Sequence, residues 1–437
     1  ETVAEVAEAF ADQTLVYWGM GVNQNVEGTA TARALIDLCL ATGNLGPGTG
    51  PFSLTGQANS MGTRVCSSKG TWPGHREFTD PAERETVADA WGVPVKRLPD
   101  DPGPGPVGIV DQLADGEAEA CWTVATNPIA GMPDAGHVRE TLEDTFLVVQ
   151  DAFRTETAEV ADVVLPAATW GESEGTATNM ERTVSRVRAA SDTPTKVRQD
   201  IDIIATIGER LCGDLFDHPP ISPETVFDEF AALTAGTVAD LSGLSYDRLD
   251  AELAVRWPAP DAESAGGYRY VADDGDGWSF PTASGRARFS TATHGGLAEP
   301  TDDEYPLTLT TGREPDAYNT GIRSREPEPD DHPVARVHPE TIIDHIEALD
   351  RGRTVIASRR AAVTATVQPD DGVPTGMIWL PIHHPAVNAF TLPVVDPESD
   401  EPNSKQCAVD VRPPSASNPL TEQGLTPDVD TAPVDSD

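Results

Sequence analysis

Lysine is almost absent from this chain: only Lys69, Lys96, Lys196 and Lys405 occur among 437 residues. Lysine and arginine together number 30 against 72 acids, a net charge of −42. That balance excludes the broadly basic surface behind non-specific nucleic-acid affinity, so no nucleic-acid partner is expected. It also argues against docking on an anionic membrane. No apolar run approaches the roughly 20 residues of a membrane helix, so no membrane span is expected. The opening Glu1-Thr2-Val3-Ala4-Glu5 is not a secretory signal. Hydrophobic residues make up 38%, low for a globular chain but too high for a wholly disordered one. At about 150 residues per domain the length suggests two to four domains.

Acid excess with little lysine has a physical reading. Carboxylates hold water and cations at the surface, whereas lysine stems add apolar area. In molar salt the Debye length is about 3 Å, which screens the self-repulsion. A salt-rich cytoplasm is the expected setting; an ordinary acidic enzyme, or one that docks a basic partner, is the alternative. Five cysteines stand at 39, 66, 121, 212 and 407. None forms a CxxC pair, so no zinc ribbon or iron–sulfur framework is offered here. Scattered thiols fit a reducing cytosol. Cys39, Cys121 and Cys212 read as core, while Cys66, beside Arg64, is the one candidate for a reactive thiolate.

Along the chain, residues 1–11 read as a helix. Leu15-Val16-Tyr17-Trp18 reads as a buried strand, followed by a glycine-rich turn over Gly19–Gln24. Thr31–Leu40 is helical with Gly43 as its stop. Pro99–Pro106 is a surface loop. A second series has strands at Ala120–Ala125, Phe146–Val149 and Asp162–Pro166, with a helix over Asp134–Leu142 capped by Asp134. Apolar strands alternating with helices predict a mostly parallel sheet covered on both faces, with ligands at the carboxyl ends of the strands. Those ends are Met20, Asn127 and Asp151. Residues 213–300 show weak periodicity and read as a variable connection with short helices. From Tyr305, β-type runs at 307–311, 334–337, 354–358, 362–367 and 376–380, with a helix near 339–347, predict a small barrel or sandwich. Residues 413–437 are acidic and proline-rich, and disorder is expected there. His383-His384 would face opposite ways on a strand, one partly buried and one exposed, and cannot easily share a metal.

Several segments together resemble the molybdopterin oxidoreductase family. They are Trp18-Gly19-Met20-Gly21-Val22-Asn23-Gln24, Thr42-Gly43-Asn44-Leu45-Gly46, Ser53-Leu54-Thr55-Gly56-Gln57, Thr126-Asn127-Pro128, Gln150-Asp151 and Ala161-Asp162-Val163-Val164-Leu165-Pro166. Trp170–Gly175, Asn179–Arg182, Thr311-Gly312-Arg313, Asn388–Thr391 and Asp396–Lys405 follow in family order. The resemblance covers about 1–212 and 305–412. It implies an α/β fold of parallel-sheet Rossmann-like layers plus a C-terminal six-stranded double-psi-type β-barrel domain. The implied division is an α/β core over 1–212, a variable connection over 213–304, a dinucleotide-binding barrel over 305–412 and an acidic disordered tail over 413–437. The implied cofactor is bis-molybdopterin guanine dinucleotide with molybdenum. Relatives begin with a Cys-rich 4Fe-4S segment and take the metal's protein ligand from before the region seen here. This chain is therefore expected to be the C-terminal part of a longer enzyme.

By the same resemblance, Met20 and Gln24 lie over the cofactor, with Gln57 nearby, and Asn127 and Asn388 read pterin or base edges. Gln150, Asp151 and Asp200 lie where relatives bind the nucleotide; a carboxylate accepts the paired N1–H and N2–H of guanine. Thr311, Gly312 and Arg313 form the phosphate side, with Lys405 as the cofactor-contacting lysine and Asn319 as a further cofactor-binding residue. Read alone, Asp200 is a plain helix cap, Asp151 and Asn127 are turn residues, Lys405 is half of a surface ion pair, and Met20 is core.

Thr55 bears on the reaction. Formate dehydrogenases in the family typically carry Arg just before this Gly-Gln, where it can steady a carboxylate. Ser53-Leu54-Thr55-Gly56-Gln57 is instead similar to the nitrate reductases of the family. Thr55 and Arg64 are the catalytic candidates, Arg64 as a lure for an oxyanion substrate; a surface salt bridge is its plainer role. The resemblance thus implies a cytoplasmic, assimilatory-type nitrate reductase taking electrons from a donor such as ferredoxin. A formate dehydrogenase-like oxidoreductase, or a non-catalytic pterin-binding remnant, is the alternative.

Overall fold

A computed structural model describes residues 2–10, 14–46, 48–54, 57–67, 70–213, 218–267, 269–270, 277–321 and 332–414. Helix α1 (Thr2–Ala9) leads into strand β1 (Leu15–Trp18), which pairs in parallel with β2 (Gly50–Ser53). Between them lie α2 (Met20–Asn23) and α3 (Gly28–Ala41), the latter stopped by Gly43 at φ +71°. Two expectations change here. The glycine-rich stretch after β1 is a short helix, because Gln24 N–H closes a turn on Met20 O at 2.9 Å. Strand β1 is only half-buried, with Tyr17 56% exposed.

Helix α4 (Ser60–Cys66) precedes a two-residue ladder, β3 (Thr71–Trp72) with β4 (Arg76–Glu77). Helix α5 (Pro81–Ala90) starts with Pro81 after Asp80, whose carboxylate takes the N–H groups of Ala82 and Glu83. Helix α6 (Pro106–Ala114) follows the proline-rich loop and packs with the second parallel sheet. That sheet runs β5 (Ala120–Val124), β6 (Phe146–Asp151), β7 (Val163–Pro166) in spatial order. Its crossovers carry α7 (Pro128–Gly131), α8 (Ala135–Glu143) and α9 (Glu156–Glu159). Leu147 and Val149, both 0% exposed, meet Val138 and Leu142 on one face. The opposite face leaves Trp122, Val124 and Phe146 exposed. Asp134 precedes α8 but caps nothing with its side chain; its left-handed backbone, φ 51°, turns the carboxylate away from the first turn.

Strands β8 (Gly175–Thr178) and β9 (Thr183–Val187) form a hairpin, and α10 (Asp200–Leu211) follows. Residues 218–267 are better packed than their weak periodicity predicted. Helices α11 (Pro223–Leu233) and α12 (Tyr246–Glu252) are capped by Ser222 and Ser245, and β10 (Ala254–Arg256) extends the hairpin sheet. Phe227, Leu241, Tyr246, Leu249 and Trp257 form one core with Val65 and Val184. Short helices and irregular loops supply its apolar groups, so no run is long enough to show a period.

The last unit is a closed barrel, β11-β15-β12-β14-β13-β16, which settles barrel against sandwich. Its strands are β11 (Leu307–Gly312), β12 (Val334–Val337), β13 (Arg353–Ala357), β14 (Ala362–Pro369), β15 (Met377–Pro381) and β16 (Cys407–Arg412), with α13 (Pro339–Asp344) after β12. The strand pattern had not marked β16. Leu309, Ala335, Ile356, Leu380 and Val409 are all 0% exposed at the centre. Glu299 pins the preceding loop to the barrel through Arg359 Nη1 at 3.1 Å, Arg360 Nη2 at 2.7 Å and Ala408 N–H at 3.0 Å. His383 and His384 lie in a turn after β15 and are both half-buried, since Pro381 ends the strand. Residues 415–437, where disorder was expected, lie outside the described residues.

Candidate functional site

Three sets of predicted residues form at chain turns. The first is at the carboxyl ends of β1 and β2. Trp18 Nε1 donates to Asn23 Oδ1 at 3.1 Å, and Asn23 Nδ2 donates to Ser53 Oγ at 3.3 Å. These bonds bring the Met20–Gln24 turn against the start of Ser53-Leu54. Met20 and Gln24 are half-buried and Gln57 is exposed, while Thr55 lies outside the described residues. Arg64, in the last turn of α4, is half-buried, with Met61 Sδ 4.0 Å from its Nη1 and no carboxylate partner among the described residues. Burial, then the charges of Arg269 and Arg64, push the pKa of His75 down. Cys66 is exposed, yet burial of its thiol among protein atoms pushes its pKa up to about 11, the opposite of a reactive thiolate. Cys39 is buried as expected, whereas Cys121 and Cys212 are only half-buried.

The second set lies at the tips of β5 and β6. Asn127 is 8% exposed and fully engaged: Oδ1 accepts Thr157 Oγ1 at 2.8 Å and Nδ2 donates to Glu156 Oε2 at 2.7 Å. Gln150, 0% exposed, donates Nε2–H to Asp200 Oδ1 at 2.6 Å, and its Oε1 is buried without a donor. Asp200 is the first residue of α10, with Gln199 as the cap, so its carboxylate is held by Gln150 and not by its own helix. Asp151 Oδ1 accepts Phe153 N–H at 2.9 Å in a tight turn.

The third set is the barrel end nearest these tips. Lys405 donates Nζ–H to Thr311 Oγ1 at 3.0 Å and Thr311 O at 3.2 Å. No carboxylate pairs with it among the described residues, so it is no surface ion pair. Burial, then the Arg313 charge, lowers its pKa to about 8. Arg313 is exposed and lies over the Tyr318 ring at 5.3 Å. Gly312 has no room for a side chain: a Cβ would sit 2.1 Å from Trp379 Nε1. Asn319 is exposed with φ 50°, beside Thr320, which meets Asn127 Nδ2 at 3.4 Å. Asn388, 1% exposed, donates Nδ2–H to Ala130 O at 2.7 Å, while its Oδ1 has no donor.

The barrel joins the other two sets. Asn388 O and Thr391 O accept the N–H groups of Ala135 and Asp134 beside the β5 tip. Asp396 accepts from Thr29 at the start of α3. The first set therefore reaches the others through the barrel and not across one continuous sheet, because β1–β2 and β5–β7 are separate. Glu156, Thr157, Thr320, Thr29 and Ser404 share these networks and were not singled out from sequence. Only Asp396 and Ser404 lay within a marked stretch; a threonine in a helix's first turn carries no signal.

The buried acceptors Gln150 Oε1 and Asn388 Oδ1 without donors, and a half-buried ammonium without a carboxylate among the described residues, fit a ligand that is anionic and rich in N–H donors. A model described as "Molybdopterin oxidoreductase" matches residues 4–210, and one described as "Molydopterin dinucleotide binding domain" matches 307–408. The chain is 63% identical over 413 residues to the assimilatory nitrate reductase of Haloferax mediterranei, covering 94% of this chain and 58% of that protein. It is 34% identical over 421 residues to a nitrate reductase of Synechocystis sp., covering 92% and 58%. To the F420-dependent formate dehydrogenase 1 subunit alpha of Methanococcus maripaludis it is 31% identical over 425 residues, covering 94% and 60%. The chain thus spans under two thirds of these relatives' length. Among solved structures, acetylene hydratase from Pelobacter acetylenicus shares the fold, with TM-score 0.64, 16% identity, and coverage of 94% of this chain and 62% of that one.

Proposed function

Because the chain belongs to the molybdopterin oxidoreductase family, we propose that it is the C-terminal part of an enzyme that reduces nitrate to nitrite at a bis-molybdopterin guanine dinucleotide centre. Residues 1–212 and 305–412 would hold the cofactor, with 213–304 as the connection between them. One observation carries the reading: Lys405, in a chain of net charge −42, is a half-buried ammonium held by Thr311 with no carboxylate paired to it among the described residues. Such a group suits phosphate oxygens.

The residues divide the work. Lys405, Thr311 and Arg313 would hold pyrophosphate, with Gly312 making room for the Trp379 ring beside them. Asp151 and Asp200 accept the paired N–H donors of guanine, while Gln150 Oε1 and Asn388 Oδ1 take further donors at the seam. Met20, Gln24 and Gln57 would line the remaining faces, with Asn319 on the phosphate side and Asn127 bracing Glu156 and Thr320 behind them. Thr55 and Arg64 would receive the oxyanion: Arg64 supplies positive charge, and Thr55 is a small hydroxyl side chain where the formate dehydrogenases carry Arg. When bound, the molybdenum centre supplies the two-electron redox chemistry of oxygen-atom transfer. Nitrate takes two electrons and two protons and leaves as nitrite and water. We assign the electrons to a 4Fe-4S cluster held outside this chain and to a donor such as ferredoxin.

Identity to the relatives called nitrate reductases, and the Ser53-Leu54-Thr55-Gly56-Gln57 stretch, favour nitrate. The 31% likeness to a formate dehydrogenase supports formate oxidation as the second reading. Assay of the full-length enzyme with nitrate and reduced viologen, then with formate and an oxidising dye, separates them. Formate activity without nitrate reduction ends the nitrate reading. We further place the protein in a salt-rich cytoplasm. Its unfolding midpoint should rise from low to molar KCl; a flat or falling midpoint contradicts that setting.

A further inference from the structure

Helix α3 does not cap itself. Its N-cap residue, Glu27, makes no side-chain bond to the first turn. Glu27 reaches outward, accepting from His294 Nδ1 at 2.6 Å, from Gly296 N–H at 3.1 Å and from Gly295 N–H. First-turn N–H groups still need acceptors when they are taken from water. The acceptor here comes from the barrel unit. Asp396 Oδ2 takes Thr29 N–H at 3.0 Å, and Asp396 Oδ1 takes the Thr29 hydroxyl at 2.8 Å. Asp396 is 2% exposed, and its Oδ1 also takes Glu398 N–H at 3.1 Å, Ser399 N–H at 2.9 Å and Ser399 Oγ at 3.0 Å. Burial alone would raise its pKa, but the Thr29 donors and the loop's own N–H groups outweigh burial and hold it low. The carboxylate therefore stays charged at a helix N-terminus, where negative charge is favoured.

Each partner of this contact is rigidly tied to a predicted site residue. On the barrel side, Asn403 N–H donates to Val394 O at 2.9 Å, Asn403 Nδ2 to Gln406 O at 2.9 Å, and Thr311 Oγ1 to Ser404 O at 2.7 Å. Those bonds fix the loop from Asp396 to Lys405. On the other side, Gly28 packs so closely that a Cβ would lie 2.4 Å from Asn23 O. Thr29 therefore moves with the Met20–Gln24 turn. The nearby Arg33–Glu398 pair is 43% and 48% exposed, and such pairs contribute little.

We propose that the Thr29–Asp396 contact is the clasp that sets the spacing between the Lys405 corner and the Met20–Gln24 turn, which makes Asp396 a positioning residue for an anionic dinucleotide. This rests on the reading that the Lys405 corner holds that anion. The test uses the intact chain, with guanosine diphosphate as probe and calorimetric affinities taken well below each variant's unfolding midpoint. Thr29→Val removes one hydroxyl donor; Asp396→Ala removes the whole acceptor. Affinity should fall about tenfold in Thr29→Val, the scale of one lost hydrogen bond to a charged group. It should fall at least as far in Asp396→Ala, and the double variant should be no weaker than Asp396→Ala, since both break one contact. A merely structural role would lower the midpoint and leave the affinity of the folded chain unchanged. If Lys405→Ala weakens the probe while Thr29→Val and Asp396→Ala bind like the parent chain, the clasp is wrong and the anion corner stands. If Lys405→Ala also binds like the parent, the anion corner fails and the clasp falls with it. Should Asp396→Ala not fold, Thr29→Val decides alone.

Discussion

The barrel and the parallel sheets treat their strands differently. In the barrel every strand has neighbours on both sides, and Leu309, Ile356 and Val409 are completely buried. In the parallel part, β1–β2 has two strands and β5–β7 three, and Phe146, Trp122 and Tyr17 stand exposed on them. A closed sheet holds its own geometry, so the Lys405 corner can be kept rigid by the barrel alone. The parallel sheets are closed on fewer sides by the described residues, and their tips take their positions from contacts with the barrel. On the proposed reading, the half of the site that would grip charge is built into the scaffold, whereas the half that would read bases is held by the seam.

The largest test of that contrast is at Glu299. Removing its carboxylate in Glu299→Ala strips Arg360, whose side chain is only 12% exposed, of its hydrogen-bonded counter-charge and should cost about 3–5 kcal/mol in denaturant unfolding. A loss under about 1 kcal/mol would show that the barrel does not depend on this tie. The same residue predicts an acid limit. Burial raises its pKa, but Arg360, Ala408 N–H and Arg359 more than offset this and hold it below the ordinary carboxylate value. Its stabilisation is complete above the ordinary pKa and fades as pH falls through the lowered one, which a pH series of unfolding midpoints would follow in the parent but not in Glu299→Gln.

Next in size is a matched pair of truncations. Leu309→Ala, at 0% exposure, should cost about 2–5 kcal/mol, while Phe146→Ala, 53% exposed, should change stability by about 0.5 kcal/mol. Equal losses would erase the difference between the two regions. A smaller effect follows from Lys405, whose pKa is lowered to about 8 by burial and by Arg313. The folded chain then releases this proton more readily than the unfolded one. Stability of the ligand-free chain should rise with pH between about 8 and the ordinary lysine value, while pyrophosphate affinity should fall about tenfold per unit above 8. Affinity independent of pH up to 10 would take Lys405 out of the anion site.

Much of this was legible in the residues because it rests on local rules. The Val-rich β5–β7 runs, Gly43 and the alternation in β11 mark their elements directly. The six-strand closure of the barrel was not local: β16 pairs with β11 and β13 and sits far from them in sequence. Asp134 looked like a cap by type, but its backbone turned the side chain away. Asp200 was a candidate by resemblance, yet its bond to Gln150 joins residues 50 positions apart, which no spacing announces. Asp396 and Thr29 are further apart still, and their contact exists only once barrel and α3 are packed.

Strand tips and the barrel corner are proposed to hold one guanine-bearing anion together. Calorimetry of the intact chain with guanosine diphosphate tests it most directly, comparing Asp151→Ala, Lys405→Ala and the parent. The account predicts that each substitution weakens binding by about 1.5–3 kcal/mol, one at the base and one at the phosphates. Binding undiminished in both variants would contradict it.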